Sequence, residues 1–153
     1  MTAYDLDRFK QAQASCYPTV LAELAGGQKR THWMWYIFPQ IDGLGRSAKA
    51  KLYAIANIEE AQAYLADPLL GGRLLECAQT LLGQTARDAE SIFGYIDSMK
   101  LRSSMTLFEA AGAGDARWAP FGQVLDAFYR GKRDEATLDK LAQQHAAERR
   151  FTS

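Results

Sequence analysis

The stretch from Asp67 to Gly83 writes both ends of a helix into the sequence. Asp67 followed by Pro68 supplies a side-chain cap and a residue whose fixed φ suits a first helical turn, and Gly83 supplies a stop. Between them Leu69, Leu70, Leu74, Leu75, Ala78, Leu81 and Leu82 form an apolar face that has to be buried against something else. Similar punctuation recurs along the chain. Leu6, Phe9 and Ala12 to Ala14 predict a first helix capped by Asp5, and Pro18 opens a second that ends at Gly26-Gly27. Ser47 caps a helix through Tyr53, and Asn57 with Glu60 three residues on opens one through Ala66. Asp88 to Phe93 reads as a short segment. A helix from Asp97 runs to the Gly-Ala-Gly break at 112–114, and further helices fit 118–129 and 135–149. The segment from Thr31 to Phe38 stays open: its aromatics favour a strand, while Pro39 and the flanking glycines suit a short helix or turn equally well. With β signals this scarce and no linker or repeat, the expectation is an all-α fold, a single compact domain over 1–153 of about eight short helices with no substantial sheet.

Length and charge narrow the function. A chain of 153 residues buries enough surface to fold without staples or metals. Its 18 basic and 18 acidic residues cancel, so the whole-molecule basic field that drives nucleic-acid binding is missing and nucleic acid is an unlikely partner. A local basic patch from Lys29 to Lys51 remains. Cys16 and Cys77 stand far apart in no ligand-like array, which predicts free thiols and calls for neither a metal nor a cofactor. The N-terminal Met-Thr-Ala-Tyr-Asp-Leu-Asp has no basic region followed by an apolar run, and no window is apolar enough to span a bilayer, so a cytoplasmic location and no membrane partner are expected.

Two segments could carry chemistry. Residues 26–47 gather two of the three tryptophans, one of the two histidines and four of the twelve glycines. Trp33 and Trp35 are amphipathic rings, His32 exchanges a proton near neutral pH, and Lys29, Arg30 and Arg46 can hold an anion. The bland account is that Trp33, Trp35, Tyr36 and Phe38 simply pack the core. His32 and Gln40, bracketing the aromatics, are harder to absorb because each needs a partner if buried. In the second segment, Asp97, Lys100, Ser103 and Ser104 fall within an arc of about 120° on a helix, and Leu107 and Ala111 continue it. A face that turns from polar to apolar along its length predicts a helix whose first turns line a wet cavity beside the core, against the bland account of an exposed Asp97–Lys100 pair. Arg102 points roughly opposite Lys100. A Ser-Lys pair of Ser104 and Lys100 lacks the strained turn that exposes a hydrolase nucleophile, whereas Lys100, Ser103 and Ser104 beside a helix start suit an anion. His145, among polar residues near the C-terminus, is expected to be solvated.

The same segments carry a resemblance. Gly27, Lys29, His32-Trp33-Met34-Trp35, Ile37-Phe38-Pro39-Gln40, Gly43-Leu44-Gly45 and Ser47, with Asp97, Lys100 to Thr106 and Phe108, resemble domain-of-unknown-function family 1810. Tyr64-Leu65, Pro68, Leu70-Gly71, Arg73-Leu74, Gly131, Asp134 and Thr137-Leu138 extend the likeness over nearly the whole chain. The resemblance implies an all-helical fold and assigns no activity. The name calpastatin sometimes given to such proteins fits poorly, because calpain inhibition uses disordered segments that fold on binding and this chain, with 48% hydrophobic residues, has a globular composition.

The leading expectation is a pocket for a small anionic, nucleotide-like or phosphorylated ligand. Trp33 or Trp35 would stack on a ring; Lys29, Lys100, Ser103 and Ser104 would contact the anion beside Gln40; His32 and Asp97 would serve as acid and base if catalysis follows. The alternative is a non-catalytic interaction module that uses exposed Trp and Tyr rings, in one version as a homodimer face.

Overall fold

Helix α8, Tyr95–Ala111, is the axis of the molecule: α5 (Ile58–Ala66), α7 (Ala89–Phe93), α9 (Ala119–Tyr129) and α10 (Glu135–Thr152) all pack against it. On the far side of α9 and α5 lies α6, Pro68–Leu82, which also meets α2, Tyr17–Ala25. The set is completed by α1 (Asp7–Ala14), α3 (Met34–Ile37), α4 (Ala48–Leu52) and a 3₁₀ turn at Ala116–Trp118. The computed structural model describes residues 4–152, with side chains through Arg149; the ends of the expected 1–153 domain, residues 1–3 and 153, lie outside it. Among the described residues there are ten α-helices and no strand, only an isolated parallel bridge between Ile41 and Ile55.

The punctuation acts largely as its chemistry requires. Asp67 accepts from the backbone N–H groups of Leu69 and Leu70, Asn57 from Glu60, Ser47 from Ala50, and Asp88 from Ser91. Glu60 reaches back to the N–H of Ala56, one residue before the cap. Two boundaries differ from expectation. The residue flanking α1 is Leu6, with no side-chain cap; Asp5 lies a position too early, and its carbonyl serves the Arg8 guanidinium instead. Helix α8 begins at Tyr95, so Asp97 sits inside its first turn. The open aromatic segment resolves into α3, a single turn.

The core is aromatic at its centre. Tyr64 of α5 is fully buried between Phe9 and Phe108, with ring centroids 5.1 and 5.2 Å away. Ser103, Ser104 and Thr106 are buried with it on α8. Cys16 and Cys77 are free thiols, and burial pushes that of Cys77 up to about 12, so it has no nucleophilic character near neutral pH. No helix among the described residues is long and apolar enough to cross a membrane.

Candidate functional site

The turn that carries the tryptophans is held from both ends by side chains of other helices. Glu23 of α2 accepts hydrogen bonds from the N–H groups of Arg30 and Thr31, from Thr31 Oγ1 and from Trp33 Nε1. Partial burial opposes ionisation of Glu23, but these four donors outweigh it and hold its carboxyl at about 2. At the other end buried Gln13 of α1 donates to the Tyr36 carbonyl. Beyond α3, Gln40 and Asp42 exchange backbone hydrogen bonds with Ile55, which fixes the following Gly43-Leu44-Gly45 loop. Gly43 has φ +97°, and a Cβ there would meet Lys140 Nζ at 2.7 Å; the lysine of α10 lies directly on this loop.

The two sequence segments meet. Lys29 Nζ pairs with Asp97 at 2.9 Å, and the Lys29 N–H donates to the Ile92 carbonyl just before α8. Lys100 Nζ stands 3.7 Å from the same carboxylate and 5.2 Å from the Trp35 ring centre, where Lys49 Nζ also approaches to 4.8 Å. Asp97 is therefore divided unequally. Lys29, with a side chain only 8% exposed and lying over Trp33, is the committed partner, while Lys100 makes no hydrogen bond among the described residues and keeps a long contact. Replacing Asp97 with alanine would strand the buried Lys29 ammonium, and a loss of about 1–3 kcal/mol in urea unfolding is expected.

Beside Lys100 opens a cavity of about 280 Å³ between the 40–45 loop, the first turns of α8 and the start of α10. Gln40, Lys100, Ser103 and Asp134 supply its polar groups; Leu44, Ile96, Met99 and Ala136 supply apolar walls. Wider clefts of about 690 Å³ beside Arg102 and about 410 Å³ between α1 and α5 carry none of the candidate residues, so size does not select between them. Asp134 is tightly fixed: its Oδ2 accepts from Ser103 Oγ at 3.0 Å, from Thr137 Oγ1 at 2.6 Å and from the Thr137 N–H, while its own N–H donates to Thr106 Oγ1.

Several candidates land elsewhere. Trp33 is 1% exposed, packed against Phe38 and Phe93 with Nε1 bonded to Glu23, so it offers no open face for stacking. Trp35 is half-buried but already carries two lysine ammonium groups. Lys29 is an internal strut. Ser104 is fully buried, its Oγ without a hydrogen-bond partner among the described residues, and it does not line the cavity. His32 is exposed; its carbonyl accepts from Tyr36 Oη, and its imidazole makes no hydrogen bond or ion pair among the described residues. Of the sequence candidates, Gln40, Lys100 and Ser103 line the cavity and Asp97 stands behind it. Asp134, Ile96 and Met99 were missed as site residues. Asp134 carries a sequence signal for a helix cap before 135–149, but only the packing of α10 on α8 makes it a wall.

The chain is similar to the conserved hypothetical protein Rv1873 from Mycobacterium tuberculosis, known from a crystal structure. The two share 48% sequence identity and a TM-score of 0.88 over 92% of this chain and 99% of that one. No curated protein matches in sequence. The profile described as "Protein of unknown function (DUF1810)" matches residues 3–141, and the chain belongs to that family.

Proposed function

We propose that the protein binds a compact anionic metabolite in the cavity beside Lys100. The observation that carries this function is the state of Lys100 itself: an ammonium lining a cavity, without a hydrogen bond among the described residues, whose nearest carboxylate is already held by Lys29. An incoming carboxylate or phosphoryl group would complete its coordination, and Gln40 could add a hydrogen bond. Leu44, Ile96, Met99 and Ala136 would contact the body of the ligand. A volume of about 280 Å³ sits at the small end of ligand pockets, which favours a compact phosphorylated or carboxylated molecule over a whole nucleotide.

A thermal-shift screen of nucleotides, nucleotide sugars, phosphorylated metabolites and small carboxylates tests this directly. A ligand at ~100 times its dissociation constant should stabilise the fold by about 2.7 kcal/mol, roughly 5–10 °C for a domain of this size. Lys100→Met keeps the length of the side chain and removes its charge, so the shift should vanish. Silence across the library, or a shift indifferent to Lys100→Met, would overturn the proposal.

A second function, a protein-interaction module, draws on a different observation: Tyr95, Ile96 and Met99 are 64%, 67% and 45% exposed on the first turns of α8. It would move the exposed aromatic surface away from the tryptophans expected from sequence. Sedimentation that depends on concentration and is abolished by Ile96→Asp would favour a homodimer; a strict monomer would exclude that version.

A further inference from the structure

Ser103 is set to offer a ligand an acceptor. Its hydroxyl has one proton, and both groups within reach of that proton inside the protein, Asp134 Oδ2 at 3.0 Å and the Met99 carbonyl at 3.2 Å, are acceptors with no proton to return. Whichever takes it, Ser103 Oγ retains lone pairs for a group entering the cavity. Asp134 is a carboxylate on the same wall. This reverses the role that sequence suggests for Ser103, since its hydroxyl would have to give up the Asp134 carboxylate or the Met99 carbonyl to donate to an anion.

Resting on the pocket proposed above, we infer that its ligand is bifunctional, a small anion that also bears a hydroxyl or ammonium donor on an apolar body. The anionic group meets Lys100. The donor meets Ser103 Oγ, three residues and so ~4.5 Å further along the axis of α8. Ile96 and Met99 cover the carbon skeleton between them. A ligand that is anionic at both ends would set its second charge against Asp134 and is disfavoured.

Matched probes separate the two ends. The full chain is titrated, with amide chemical shifts followed by NMR, using 3-phenyllactate against 3-phenylpropionate and glycerol 3-phosphate against propyl phosphate; the pairs also distinguish a carboxylate from a phosphoryl anion. In at least one pair the member with hydroxyls should bind about tenfold more tightly, the range of one neutral hydrogen bond made in a desolvated site. Ser103→Ala should bring that ratio to about one. Lys100→Met should weaken both members together. Equal binding of the pair members, or a preference that survives Ser103→Ala, overturns the inference and leaves the anion site standing if Lys100 is still required. The absence of any Lys100-dependent binding removes both.

Discussion

Replacing Gly71 with alanine is expected to destabilise the protein by about 3 kcal/mol or more, against the usual preference of a helix for alanine. Gly71 lies in the first turns of α6, where the chain doubles back over the end of α5 with only Asp67 between the helices. A Cβ at Gly71 would lie 2.9 Å from the carbonyl carbon of Leu65 and closer still to its oxygen. Both obstacles are backbone, so no side chain can swing aside. The neighbouring Gly72 provides the control: a Cβ there meets nothing within 4 Å, and Gly72→Ala should stabilise by about 0.5–1 kcal/mol. Opposite signs at adjacent positions in urea or thermal unfolding would verify the corner between α5 and α6; two mild, same-sign effects would contradict it.

Glu23→Ala is the second large loss, at about 3 kcal/mol. The carboxylate gathers four donors, and one of them, Trp33 Nε1, belongs to a side chain that is 1% exposed and cannot turn to water. The backbone donors at Arg30 and Thr31 are exposed and regain solvent more easily, so most of the cost falls on the indole. The same hydrogen bonds fix a pH dependence. In the unfolded chain this carboxyl takes its proton near 4.5; in the folded protein it remains ionised to about 2. Its contribution is complete above pH 4.5 and is lost as the pH falls toward 2. Asp67, also depressed through its hydrogen bonds from Lys10, Leu70 and Leu69 despite partial burial, adds to the same acid limb. Glu23→Gln keeps an acceptor for Trp33 while removing the titration, and acid unfolding should flatten between those two pH values.

The helices were legible wherever their ends carry local chemistry. Asp67-Pro68, Ser47 and Asn57 cap the segments they precede because the bond from side chain to backbone spans two or three residues and needs nothing from elsewhere. Helix α3 was not legible, and the reason is physical: four residues cannot sustain a turn on propensity, and it exists because Glu23 and Gln13 reach it from other helices. For the site, sequence located both segments and the arc of α8. It could not separate Trp33 from Trp35 or Ser103 from Ser104, since each pair is near-equivalent in composition; packing takes Trp33 into the core, and of the two buried serines Ser103 lines the cavity. Nor could it show Lys29 turned inward onto Asp97, a contact across 68 positions of sequence that leaves Lys100 with a shared carboxylate at the cavity.

The central claim is that Lys100 anchors an anion in the cavity between the 40–45 loop and α8. Its most direct test is a crystal structure of the protein with the strongest ligand from the thermal-shift screen. The expected map shows the anionic group within hydrogen-bond distance of Lys100 Nζ, with the body of the ligand against Leu44, Ile96 and Met99. A ligand seated elsewhere, such as the cleft lined by Arg102 and Tyr129, with this cavity holding only solvent, would contradict it.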